Sequence, residues 1–133
     1  MPRIRVRSTM PASRLEALIL SALRASTVPL SAYAIADQLR DEGTRVVVPS
    51  VYRALRRLGA EGVVEKVEML SAYRISEREK HLRLVCLNCG QTTGHLLPEL
   101  YDMLIDSAAQ TGFAISKVAL ELAGRCASCR DEE

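Results

Sequence analysis

A chain of 133 residues has room for one medium domain or two small ones, and with one Phe, four Tyr and no Trp its core must be built from Leu, Val, Ile and Ala. No stretch approaches the roughly 18 uninterrupted apolar residues of a membrane span, and the basic start at Met1–Arg7 leads into no apolar run of signal-peptide length, so the cytoplasm is the expected compartment. The net charge of +2 hides an asymmetry: residues 1–60 hold ten Arg against four acids and residues 61–133 eight Lys plus Arg against twelve acids, as suits a first half that meets a polyanion.

Ser13-Arg14-Leu15-Glu16 has the form of a capping box and predicts a first helix with Leu15, Leu18, Ile19 and Leu23 on one side. Pro29 breaks the chain, and Ser31 is placed to cap a second helix through Ala32, Ile35, Ala36 and Leu39, ending at Asp41-Glu42-Gly43. After the short β-branched run Thr44–Val48, Pro49 sits in the first turn of a third helix over Ser50–Leu58, which closes near Gly59–Gly62. Val63–Met69 and Ala72–Ser76, separated by Leu70-Ser71, read as a hairpin. Three short helices followed by a hairpin make a winged helix-turn-helix, expected over residues 1–76 with a basic N-terminal arm.

On the third helix Val51, Ala54, Leu55 and Leu58 share the face a core wants, and Ser50, Tyr52, Arg53, Arg56 and Arg57 occupy the other. Arg pairs with phosphate oxygens and chelates O6 and N7 of guanine, while hydroxyls supplement backbone and base contacts. One apolar stripe and one Arg-Tyr stripe suit insertion into the major groove of double-stranded DNA. The plainer alternative is a solvated surface helix in an arginine-rich protein.

A polar hinge is expected at residues 77–81, followed by a small α/β domain over residues 82–133. Leu82–Leu87 and Gln91–Leu96 read as strands, Pro98 opens a helix carrying Leu100, Met103, Leu104 and Ala108, and Gly112 stops it. Phe113–Leu122 ends in strand-like alternation at Val118, Leu120 and Leu122. The class is therefore α+β. A unit of about 50 residues usually needs a metal or a partner to stay folded, and unpaired sheet edges would join two copies, so a homodimer is expected.

All four cysteines fall into two Cys-x-x-Cys pairs, Cys86/Cys89 and Cys126/Cys129, with 36 residues between Cys89 and Cys126. Two such turns supply the tetrahedron that Zn²⁺ prefers, with no position left for a catalytic water, so one structural zinc per chain is expected. A thioredoxin-like redox pair competes for either pair taken alone, but two matched pairs argue against it. Enzyme signatures are missing: His81-Leu82-Arg83 lacks the acid of a zinc deaminase, and no P-loop, nucleophile elbow or dinucleotide glycine pattern occurs.

Pro49-Ser50-Val51-Tyr52-Arg53-Ala54-Leu55, Glu61-Gly62-Val63-Val64, Cys86-Leu-Asn-Cys89-Gly90 and Thr111-Gly112-Phe113 leading to Gly124-Arg125-Cys126-Ala-Ser-Cys129 together resemble the ferric uptake regulator family, nearest its zinc uptake branch. The resemblance spans about Arg14 to Cys129. It implies a homodimeric metal-responsive repressor on a palindromic operator, with Tyr52 and Arg53 at the DNA and the four cysteines on structural zinc.

The sensing site of such proteins departs from that pattern here. The histidine-rich run before the first cysteine pair is reduced to Glu79-Lys80-His81, and the ligand positions of the zinc branch become Glu65, Ser76 and Gly94. Two outcomes compete: DNA binding without metal control, or a remnant of Glu65, Glu79 and His81 holding a harder second divalent ion such as Mn²⁺ or Fe²⁺. Lys80 or Arg83 near Glu65 or Glu68 would supply a fixed charge where the metal sat. Further rivals are a redox switch, in which oxidation of the four cysteines ejects zinc and releases DNA, and a zinc-stapled protein adaptor.

Overall fold

Leu15, Ile19, Ala22 and Leu23 recur at helical spacing and are buried along one side of α1 (Ala12–Ala25). The computed structural model describes residues 12–77 and 81–131, with only the backbone of His81. Helix α1 already includes Ala12, so Ser13 lies inside the helix and not at the N-cap position that a capping box requires. Ser31 does cap α2 (Ala32–Asp41): its hydroxyl accepts the N–H of Ala34 at 3.0 Å. Gly43, with φ of 92°, turns the chain out of that helix. Thr44–Val47 forms no strand; it leads into α3 (Val48–Ala60), which carries Pro49 in its first turn.

The helices are followed by β1 (Val64–Val67) and β2 (Ala72–Ile75), antiparallel with Glu65 opposite Arg74 and Val67 opposite Ala72. The first strand is shorter than its β-prone run because Glu68–Leu70 coils into a 3₁₀ turn and Ser71 takes a left-handed φ of 51°. Leu30, just before α2, exchanges two backbone hydrogen bonds with Tyr73 and so bridges to the hairpin. Ile19, Ile35, Leu39, Val51, Leu55 and Val64 fill the core between helices and hairpin. This is a winged helix-turn-helix.

By its contacts the chain divides into two units: one takes the residues up to Val67 plus Ser71–Ser76, the other takes Glu68–Leu70 and the chain from Glu77 onward. The second unit contains β3 (His81–Cys86), β4 (Thr92–Leu96), α4 (Pro98–Gln110) and β5 (Glu121–Gly124). Its sheet order is β4-β3-β5, with β3 antiparallel to β4 and parallel to β5. The last strand starts later than the alternation from Val118 suggests. Its register is fixed against β3, with Arg83 opposite Glu121 and Cys86 opposite Gly124, and residues 113–120 have no regular structure. Among the described residues, those of this unit buried as whole residues are Arg83, Val85, Cys86 and Cys129. Two of those four are sulfurs, so little apolar core exists apart from the cysteine site.

Candidate nucleic-acid interface and metal centre

The burial of Val51, Ala54, Leu55 and Leu58 turns the opposite side of α3 outward, exposing Tyr52, Arg53, Arg56 and Arg57, with Ser50 half-buried. The Arg53 Nη2 donates to the Ser50 hydroxyl at 3.1 Å, which limits the rotamers of the guanidinium. Arg57 is committed elsewhere: its Nε lies 2.7 Å from the Glu16 carboxylate on α1, which neutralises much of its charge. Sequence reasoning missed Tyr33, on the first turn of α2. Its ring stands edge-on to that of Tyr52, centroids 6.4 Å apart and planes at 85°, and the residue is 63% exposed. The signal was available in an apolar-bodied residue on the polar side of a helix capped by Ser31.

The parallel pairing of β3 and β5 decides the geometry of the cysteines. Parallel neighbours end at the same edge of a sheet, so the turn after β3 (Cys86, Cys89) and the turn after β5 (Cys126, Cys129) meet. The four Sγ atoms lie within 4.8 Å of one another, Cys89 and Cys126 at 3.8 Å, and all four are free of disulfides. Zn–S bonds of about 2.3 Å give a tetrahedron with S···S edges of about 3.8 Å, so the quartet has the size and donor type for Zn²⁺. The hydrogen bonds match thiolate ligands as well: the N–H of Cys89 points at Cys86 Sγ at 3.4 Å, and each turn closes with a bond to the Cys86 or Cys126 carbonyl.

Charge gives the same answer. Cys86 is drawn down to about 6, chiefly by the N–H of Cys89 and then by that of Cys126. Cys129, although the Asn88 side chain favours its thiolate, is pushed up to about 12 by the neighbouring Cys126 sulfur and by burial. Cys89 also rises, the Cys86 sulfur and burial outweighing the Gln91 N–H. Four thiolates this close cannot all ionise without a cation among them. Zinc uptake at pH 7 should therefore displace protons, those of Cys89 and Cys129 among them. Because protons compete with metal for sulfur, affinity should weaken with acidity, most steeply below about 6, where Cys86 also takes up its proton. Calorimetric titration in buffers of different ionisation enthalpy measures the proton count directly.

The family model described as "Ferric uptake regulator family" matches residues 7–123. The chain belongs to the ferric uptake regulator family. Members of that family are metal-responsive transcriptional regulators and not enzymes. The chain is 33% identical over 125 residues to the zinc uptake regulation protein of Escherichia coli (strain K12), covering 90% of this chain and 72% of that protein. It is 30% identical over 103 residues to the zinc uptake regulation protein of Mycobacterium tuberculosis (strain ATCC 25618 / H37Rv), covering 75% of this chain and 79% of that one. A solved zinc uptake regulator complexed with zinc and DNA superimposes with a TM-score of 0.80 at 27% identity, over 90% of this chain and 83% of the other. The holo form of XcZur gives 0.77 at 26% identity, over 92% of each.

Within this member of the ferric uptake regulator family, Glu65 alone of the three residues considered for a second ion has a described side chain. Glu65 stands on β1 with its carboxylate 3.7 Å from Arg74 Nε, its neighbour across the hairpin. Glu79 and the side chain of His81 lie outside the described residues, as does Lys80. Of the fixed charges expected near the metal position, Arg83 pairs with Glu121, and Glu68 pairs with Lys117. Among the described residues, the group of His, Cys, Asp and Glu suited to a metal is the cysteine quartet.

Proposed function

We propose that this chain is a homodimeric transcriptional regulator, a repressor acting in the cytoplasm on a palindromic operator, with one structural zinc per chain and weakened or lost metal sensing. The observation that carries the reading is the outward face of α3, Ser50, Tyr52, Arg53 and Arg56 with Tyr33 beside them, on a fold shared with a zinc uptake regulator solved on DNA. The N-terminal part of a recognition helix meets base edges while its flanks meet phosphate, so Arg53 and Tyr52 read bases and Arg56 anchors the backbone. Arg57, tied to Glu16, contributes less.

Cys86, Cys89, Cys126 and Cys129 hold the zinc, which when bound cross-links two strand ends and leaves no site for chemistry. Dimerisation is supported by the second unit itself. Helix α4 buries no residue of its own, and Leu100, Met103 (64% exposed), Leu104, Phe113 and Leu122 present apolar surface of the kind a second copy covers. No described helix is long and apolar enough to cross a membrane.

Loss of sensing is supported by Glu65, whose carboxylate already faces a guanidinium, and by Ser76 and Gly94, which bring no imidazole, thiolate or carboxylate. Fluorescence anisotropy on genomic operator fragments tests it. Zinc-loaded protein should bind with the same affinity in a mild chelator as with added Zn²⁺, Mn²⁺ or Fe²⁺, and a footprint that requires added metal would overturn the reading. The competing redox switch draws on the exposure of Cys89 and its 3.8 Å approach to Cys126. Zinc release by dilute peroxide together with loss of operator binding would select it.

A further inference from the structure

Glu68–Leu70 is enclosed in sequence by the two strands of the hairpin, yet it belongs by its contacts to the second unit. A 3₁₀ turn leaves its first N–H groups without partners inside the turn. Here those of Glu68 and Met69 donate to Oε2 and Oε1 of Glu121, at 2.8 and 2.9 Å. The acceptor thus does the work of an N-cap from 52 to 53 residues further along the chain.

The same carboxylate accepts Nε and Nη2 of Arg83 at 3.3 and 3.1 Å, and the two residues face each other in the β3–β5 register. Both side chains are nearly withdrawn from water, Glu121 at 4% and Arg83 at 10% exposure. A carboxylate so buried is destabilising unless a cation and donors satisfy it, and this one has two backbone and two guanidinium N–H groups. Lys117 also reaches Glu68 at 2.9 Å, but that pair is open to solvent and contributes little.

We propose that Glu121 is the positioning residue of the Glu68–Leu70 turn, its carboxylate held by Arg83 in a permanent clasp that needs no ion. The guanidinium supplies the positive charge that an acid of this burial would otherwise take from a bound cation, so the clasp is closed at every metal concentration. Because the turn is the connection between β1 and β2, its geometry fixes how the wing hairpin closes. The effect on operator affinity rests on the DNA-binding reading above; the clasp itself does not.

The test uses the full-length, zinc-loaded protein. In Glu121→Ala, amide exchange at Glu68 and Met69 should accelerate about tenfold or more, and operator affinity in a mild chelator should fall about tenfold without recovery on adding zinc. Arg83→Met should do the same, whereas Lys117→Ala should do neither. Should Glu121→Ala fail to fold, Glu121→Gln serves: it keeps one acceptor oxygen, so it should restore part of the protection and of the affinity. Unchanged exchange at both amides in Glu121→Ala and Arg83→Met, or in Glu121→Gln and Arg83→Met where the alanine variant does not fold, would overturn the assignment. A native chain that binds no DNA, with exchange still accelerated in the variants, would sink the regulator reading and leave the clasp standing.

Discussion

Replacing Cys129 with serine should release the zinc and unfold the second unit while leaving the helices of the first intact. The described residues of that unit buried as a whole are Arg83, Val85, Cys86 and Cys129, far short of a self-sufficient apolar core. A small single core supplies about 3–5 kcal/mol, whereas structural zinc in metal-dependent domains contributes about 10–16 kcal/mol. Loss of the metal therefore outweighs everything else that holds the unit. Elemental analysis should show the bound zinc falling toward none, and the proposed homodimer should dissociate with it. By contrast, exchange protection at Ile19, Ile35 and Leu55 should persist, because the packing around them contains no cysteine. A Cys129→Ser protein that kept its zinc and its dimer would show that three sulfurs and the sheet suffice.

Substituting Arg53 by alanine should cost operator binding about 1–3 kcal/mol, with relaxed discrimination at one base pair. Its guanidinium is exposed and oriented by the Ser50 hydroxyl, so the interaction is partly pre-organised. Arg56→Ala should instead weaken all sequences alike and lower the salt slope by about one. Arg57→Ala should do less than either, since its charge is already balanced by Glu16 at 2.7 Å. Tyr33→Phe and Tyr52→Phe separate hydroxyl contacts from ring packing, because the edge-on stack survives both changes. Affinity measured at several salt concentrations on operator and mismatched duplexes resolves these outcomes, and equal losses for all three arginines would remove Arg53 from base reading.

Much of this was written in local patterns. Apolar spacing and the Ser31 cap declared α2 and α3, and two Cys-x-x-Cys turns declared a four-sulfur cluster, because each signal lies within a few residues of its partner. What escaped depended on distance along the chain. Arg83 and Glu121 are 38 residues apart, and no periodicity announces a buried pair across parallel strands. The start of β5 was likewise set by register against β3, not by the alternation at Val118 and Leu120. Ser13 misled because a capping box is defined by where a helix begins, and that boundary lies at or before Ala12. Arg57 shared a face with Arg53 and Arg56 on a helical wheel, but the wheel carried no record of Glu16.

The side-by-side run of β3 and β5 also bears on how quickly the chain matures. Neighbouring strands so far apart along the chain must close a long loop before any contact rewards them, and such steps are slow. Helices α1–α3 face no such delay. A newly made chain is thus expected to shape its three helices early, with the pairing of β3 and β5 following later.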